Sequence, residues 1–308
     1  MSRAPTIADY LKVPPNPLRQ AGGSRSVGQN ANPGLPLVSV FTIVRNRKAT
    51  LPGAIRSVSS QTYPNIEYII VDGASTDGTL EVLRNFDDQI DRWISEPDRG
   101  TSDAINKAIS LTRGDFVCQL ASDDWFEADF VESAVKALLA SGADFVFGDL
   151  RIYRDDVLLQ IVKGNTEGGK LITPEPRSFH FPAAVTRTSP TMLTKKTWFQ
   201  KLGMYDLKYN IRNDFEWILR LHLGGAVGFY DPAVVGHFRL GGHSDKGSDF
   251  VHIFENLRIL RQHRLLTARV AAPYLYRLIR YSTGHLTRLV LPGVVHRTLK
   301  RVIRRNPL

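Results

Sequence analysis

Between residues 37 and 147 the chain alternates short, almost wholly apolar runs with stretches of helical period, and this alternation restricts its fold more than any other feature. Residues 37–44, 66–71, 92–94, 116–120 and 144–147 read as strands. Strands without polar alternation are buried on both faces, as in a sheet covered by helices. The segments between them supply those helices. Leu51, Ala54, Ile55 and Val58 fall on one helical face, as do Leu80, Val82, Leu83 and Phe86. Ala104, Ile105, Ala108 and Ile109 form a third such face, and Phe130, Ala134, Ala137 and Leu138 a fourth. Repeated strand–helix units place successive strands in parallel through right-handed crossovers. The expected fold class is α/β, a mostly parallel central sheet flanked by helices.

Outside this region the pattern changes. Residues 1–36 are rich in Pro, Gly, Ser, Asn and Arg and read as a largely disordered leader, with a short docking turn at 7–11. Residues 37–150 read as one half of a domain and 151–250 as its second half. The second half holds a hairpin around Arg154-Asp155-Asp156, a long Gly- and Pro-rich loop at 164–188, and a helix from Asn213 to Gly224. Residues 251–308 read as a basic amphipathic helical tail. No Asp or Glu follows Glu255, whereas 12 of the 40 Lys and Arg residues do; the remainder, 28 basic against 30 acidic, is nearly neutral. Charge segregated in this way points to an anionic partner, and the tyrosines Tyr274, Tyr276 and Tyr281 favour a membrane surface over nucleic acid. No apolar run is long enough to span a bilayer. A single cysteine, Cys118, excludes a disulfide framework and a thiolate metal cluster.

The stretch from Gly114 to Phe130 carries the first chemistry. An apolar run, Phe116 to Leu120, ends at Ser122-Asp123-Asp124, and helical spacing resumes from Glu127. Two adjacent carboxylates therefore stand at the carboxyl end of a buried strand, where open α/β sheets bind ligands. A hard divalent cation carrying phosphate oxygens would neutralise them. A solvated helix N-terminus capped by Ser122 is the plainer reading. A dinucleotide fingerprint and a P-loop are both absent: the first turn reads Val44-Arg45-Asn46-Arg47-Lys48, with no glycine. Any anion site would draw instead on Arg45, Arg47 and Lys48, and on Arg99 and Lys107.

Four stretches together resemble a known family. Residues 39–46, ending Arg45-Asn46, residues 71–79 around Asp72-Gly73, residues 96–107 from Glu96 to Lys107, and residues 114–124 ending in Asp123-Asp124 are similar, in order, to the family 2 glycosyltransferases of the GT-A fold. The likeness is to the bacterial type that builds surface polysaccharides and glycolipids. It implies a nucleotide-sugar donor, bound by Thr42, Asn46, Asp72, Arg99, Asp103, Asn106, Lys107 and Asp123. It also implies a divalent cation, Mn²⁺ or Mg²⁺, held by Asp124 and Asp123. Two departures stand out. Many relatives have Asp-Asp where this chain has Asp72-Gly73, and the second carboxylate often contacts the base. The metal motif reads Ser-Asp-Asp, so Ser122 cannot supply a first carboxylate.

In the second half, Asn213-Asp214-Phe215-Glu216-Trp217 resembles the family's acidic pair at a helix start. That assigns Asp214 as catalytic base, with Glu216 in reserve; near a helix N-terminus Asp214 is expected to stay ionised. Helix capping is its alternative role. Gly236-His237-Phe238-Arg239 resembles segments that sit near the diphosphate, which makes His237 a possible metal ligand and Arg239 a phosphate clamp. His180 is placed near the acceptor or in solvent. The expected activity is inverting, metal-dependent sugar transfer to a lipid-linked or glycan acceptor, at the cytoplasmic face of the membrane and without nucleic acid. Rival readings are a sugar-phosphate nucleotidyltransferase and an inert binding module on the same fold.

Overall fold

The computed structural model describes residues 4–12, 14–25, 34–164, 170–172, 189–241 and 249–267. The basic tail beyond residue 267, most of the 164–188 loop with His180, and residues 242–248 lie outside these. Residues 1–246 form one compact unit and 247–308 a second. In the second unit, helix α8 (Asp249–Gln262) is described.

The first unit is built on a single sheet. Strands β2 (Val38–Val44), β3 (Ile66–Asp72), β4 (Arg92–Ser95) and β5 (Phe116–Gln119) are parallel, in the order β4-β3-β2-β5. They alternate with helices α2 (Leu51–Ser59), α3 (Thr79–Asn85) and α4 (Thr101–Leu111), as the hydrophobic period requires. Alternate residues of the buried strands feed two cores. Val38, Val40, Tyr68 and Ile70 pack with α2 and with α5 (Phe130–Ser141). Phe41, Ile69 and Val71 pack with α4, α6 (Thr197–Leu202) and α7 (Asn213–Leu223). Each fully buried aliphatic side chain contributes about 1.5–3 kcal/mol, so the layers on both faces hold the sheet.

From β2 the chain steps outward to β3 and β4, then returns past β2 to β5 on its other side. That reversal opens a crevice at the carboxyl ends of β2 and β5. Beyond β5 the sheet departs from the simple repeat. β10 (Leu193–Lys195) inserts antiparallel between β5 and β7 (Phe145–Arg154), so β7 is not β5's neighbour. A three-residue strand recruited from nearly fifty residues further on leaves no local periodicity to find. β11 (Gly228–Arg239) runs parallel to β7 and continues through residues 236–239, which sequence patterning left as a loop. β9 (Lys170–Ile172) pairs with β11. The hairpin of β7 and β8 (Val157–Val162) turns, as expected, at Asp155 and Asp156, both at positive φ.

One expectation needs correction. The leader is not largely disordered in its described residues. Thr6 and Asp9 form a reciprocal capping box on α1 (Ile7–Leu11), and β1 (Gln20–Gly22) pairs antiparallel with β4. Arg19 grips Glu96 with both nitrogens of its fork, and the Tyr10 hydroxyl donates to Asp103 at 2.6 Å. An exposed sheet edge gains from being covered, and main-chain pairing needs no apolar pattern. The two halves drawn about residue 150 share one sheet, and β7 runs across the position where they meet.

Candidate active site

The turn after β2 is latched to the turn after β3. The Asn46 amide donates to Ser75 Oγ and Asn46 Oδ1 accepts from the Thr76 amide, both at 2.8 Å. Asp77 accepts from the Lys48 and Thr79 amides and from the Thr79 hydroxyl. Against the upward push of burial, these bonds hold its carboxyl below the ordinary range. Asp77 is thus a turn residue.

Over these turns lies a cavity of about 730 Å³, floored by β2 and β5 and walled by α4, α7 and the end of β11. Asn46, Asp123, Asp124, Asp214 and Arg239 line it, as do Arg45, Arg47 and Asp98.

Asp124 is the most unusual group in it. The residue is 3% exposed. Its Oδ1 accepts the Arg239 amide at 2.8 Å, while its Oδ2 is buried with no partner among the described residues. Burial first, then the neighbouring Asp123 charge, push its pKa well above the ordinary carboxylate value. Asp123 is more exposed and lies 3.8 Å from Arg47. The segment is not a helix cap: a short strand, β6 (Trp125–Phe126), follows it and pairs with β11, and α5 begins only at Phe130. This pairing is what brings Arg239 to Asp124. An orphaned buried carboxylate oxygen beside a second carboxylate fits a divalent cation, with further ligands coming from a phosphate-bearing substrate. No cluster of three or more His, Cys, Asp or Glu side chains suited to a metal occurs among the described residues.

Across the cavity, Asp214 sits in the first turn of α7. Its Oδ1 accepts the Phe215 amide at 2.7 Å and its Oδ2 the Ser189 hydroxyl at 3.3 Å. Burial raises its pKa, and Arg212 and these hydrogen bonds oppose the rise. The helix end therefore does not hold the group at an ordinary carboxylate pKa, as the sequence alone had implied; desolvation wins. A carboxylate of raised pKa is a stronger base once ionised. Buried Asn213 donates to Ser102 on α4 and accepts the Asp214 amide, which fixes the start of α7 against the opposite wall.

Several assigned residues are placed elsewhere. Glu216 is not in the cavity wall; Arg220 pairs with both its oxygens at 2.8–3.0 Å and also donates to the carbonyls of Leu202, Gly203 and Met204. The pair fastens α7 to the end of α6. Removing one partner of a buried pair strands the other, so Glu216→Ala should cost about 3–5 kcal/mol in denaturant unfolding. A catalytic Glu216 would instead show unchanged stability and a reduced kcat. His237 does not line the cavity. Its Nδ1 lies 3.2 Å from the Tyr153 hydroxyl and its Nε2 2.9 Å from Glu127, and its ring stacks on Trp125.

The expected nucleotide-binding set divides in the same way. Thr42 bonds to Tyr68 and the Leu120 carbonyl, and Asp72 is spent on Ser75 and Ser95; both are fully buried. Asp103 is held by Arg99, Tyr10 and Lys107, and Asn106 exchanges hydrogen bonds with the Tyr205 backbone. Lys107 donates to Glu96 and to the Pro97 carbonyl. These residues shape the wall behind the cavity rather than line it. Arg239 does line it, with its guanidinium paired to Asp156 at 3.0 Å and lying over Trp125. Asp98 and Ser189 were missed because nothing in their local spacing marks them. Arg45 and Arg47 were legible as basic residues after a strand.

A parallel run of strands whose order reverses beside the cavity, with two carboxylates at one strand end and a buried carboxylate at a helix start, places these groups where open α/β sheets bind ligands. The model of glycosyl transferase family 2 matches residues 39–203, more than half of the chain, and the chain belongs to that family. It is a glycosyltransferase. An uncharacterized glycosyltransferase of Mycobacterium tuberculosis is 34% identical over 200 residues, covering 61% of this chain and 70% of that protein. The Escherichia coli UDP-Glc:alpha-D-GlcNAc-diphosphoundecaprenol beta-1,3-glucosyltransferase WfgD is 29% identical over 145 residues, 47% of this chain and 54% of that one. In fold, the chain is similar to Staphylococcus aureus TarS residues 1–349 in complex with UDP-GlcNAc. The TM-score is 0.61 at 16% identity, covering 83% of this chain and 76% of that chain. This likeness supports the GT-A fold.

Proposed function

We propose that the cavity binds a nucleotide-sugar donor together with a divalent cation, and that the enzyme transfers the sugar with inversion to a lipid-linked or glycan acceptor in cell-surface polysaccharide or glycolipid synthesis. The observation that carries this reading is the unpartnered, buried Oδ2 of Asp124 in the same cavity as Asp214. WfgD, which acts on a diphosphoundecaprenol-linked sugar, supports the acceptor class.

Asp124 and Asp123 would hold the cation, which when bound supplies positive charge to the diphosphate as it leaves. Arg47, 3.8 Å from Asp123, adds fixed positive charge for the phosphates. On the opposite wall Asp214 Oδ2 takes the proton from the acceptor hydroxyl as its oxygen attacks the anomeric carbon. Attack from the face away from the nucleotide inverts that carbon. Ser189 holds the carboxylate oriented.

The experiment is nucleotide release from a panel of nucleotide sugars, with Mn²⁺ or Mg²⁺ and with a chelator. Release that requires the cation is expected; binding without turnover under any acceptor would leave an inert module as the better reading.

The basic tail supports a peripheral position on an anionic membrane. No helix among the described residues is long and apolar enough to cross a bilayer. Nine Lys and Arg residues lie within 268–308. Near an anionic surface each contributes about 1 kcal/mol. Deleting residues 268–308 should move the protein from vesicles containing phosphatidylserine into the supernatant at about 0.1 M salt. Unchanged sedimentation would refute anchoring by the tail.

A further inference from the structure

Gly73, which follows β3, stands where a side chain would displace the Asp98 carboxylate. A Cβ built there would lie 2.2 Å from Asp98 Oδ2 and 3.5 Å from Arg45 Cδ. The Asp98 carboxylate, arriving from the end of β4, is therefore laid over the Gly73 backbone, and both Asp98 and Arg45 line the cavity. Asp98 Oδ1 accepts the Gly100 amide at 2.9 Å, which fixes the carboxylate in place. Gly100 itself has φ +112°, and a Cβ there would lie 2.6 Å from Asn210 Oδ1, so the turn that aims Asp98 tolerates no bulkier residue. Among the described residues, no hydrogen bond or ion pair engages Asp98 Oδ2.

We infer that Asp98 is the residue that selects the donor's base, and that it selects bases with an N–H at the centre of their Watson–Crick edge. The inference rests on the nucleotide-sugar reading above. Its first support is placement. Neighbouring strands are about 4.8 Å apart, so the end of β3 lies about 10 Å across the sheet from the end of β5, where Asp123 and Asp124 stand. In a nucleotide whose diphosphate meets those carboxylates, the ribose hydroxyls fall short of that distance and the edge of the base reaches it. The second support is chemistry. An ionised carboxylate only accepts hydrogen bonds. Uracil and thymine present N3–H at that central position, and guanine presents N1–H with an amino group beside it. Cytosine and adenine present a ring-nitrogen lone pair there, which a fixed carboxylate repels. Leaving one side of such a contact unpaired is what gives buried polar sites their discrimination. Arg45, on the rim, can donate to the carbonyl oxygen that flanks the N–H in uracil, thymine and guanine.

Calorimetric titration of the full chain with UDP, GDP, CDP and ADP in the presence of Mn²⁺ tests this. At least one of UDP and GDP should bind tenfold or more tighter than both CDP and ADP. Asp98→Asn, whose amide both donates and accepts, should bring the four within about threefold of one another. Gly73→Ala gives an independent variant: its methyl meets only the end of a movable side chain, so the fold should be kept while Asp98 is displaced, and the same loss of preference should follow. Equal binding of all four by the unaltered protein, or a preference that survives both substitutions, would overturn the role of Asp98 and leave the transferase reading intact. Binding of none, with or without Mn²⁺, would overturn both.

Discussion

Asp124→Asn should abolish cation-dependent sugar transfer, by at least about 10³-fold in kcat, and at the same time make the free protein more stable. The two effects share one cause. Asp124 is buried, with one oxygen bonded to the Arg239 amide and the other without a partner among the described residues. A carboxylate in that position is held against its desolvation cost, and is useful only when something positive arrives. An asparagine keeps the bond from the Arg239 amide and removes the charge. A gain of about 1 kcal/mol would raise Tm by about 2–4 °C.

The sign with pH follows from linkage. The folded pKa of Asp124 lies above its unfolded value, so the native state binds the extra proton in the window between them. Its contribution to stability therefore falls as pH rises through that window and stays low above it. The difference in Tm between the asparagine variant and the natural protein should be small near pH 4 and larger near pH 8. Mn²⁺ should raise Tm of the natural protein and not that of the variant. Retained activity, or equal stabilisation of both by Mn²⁺, would sink the assignment.

Asp214→Asn should lower kcat by about 10²–10⁴-fold while leaving the donor's KM within about threefold, because the base acts on the acceptor and not on the nucleotide. The Mn²⁺-dependent rise in Tm should persist, which separates this variant from Asp124→Asn. The rate of the natural enzyme should climb with pH as Asp214 loses its proton. Since burial raises that pKa, the climb should be centred above the ordinary carboxylate value. A kcat unchanged in Asp214→Asn would return the residue to helix capping.

Much of the fold was legible because it is local. Strands β2, β3 and β5 are apolar on both faces and announce a covered parallel sheet, and α2, α4 and α5 show their inward faces at helical spacing. The insertion of β10, the pairing of β6 with β11 and the docking of the leader on β4 were not legible. Each rests on main-chain hydrogen bonds between segments far apart in sequence, and such bonds leave no residue pattern.

The site divides along the same line. Asp123, Asp124 and Asp214 could be found from their positions at a strand end and a helix start. Glu216 and His237 carried equally suggestive chemistry and were consumed by Arg220, Glu127 and Tyr153. Thr42, Asp72, Asp103 and Asn106 are polar and buried because they brace turns and helices behind the cavity. A motif records that a polar residue is required at a position. It does not record whether the requirement comes from a ligand or from a neighbouring backbone amide.

The sequence by itself determined the α/β class, the succession of the first strands and helices and the carboxylates around which the site is built, because burial period and strand-end position are properties of short segments. Only the tertiary structure decided which of those carboxylates remain free. Asp72 found two hydroxyls, Glu216 found a guanidinium, and Asp124 found one amide and was left with an empty oxygen. Whether a buried polar atom is satisfied depends on partners brought from other elements, and satisfaction separates a brace from a binding group.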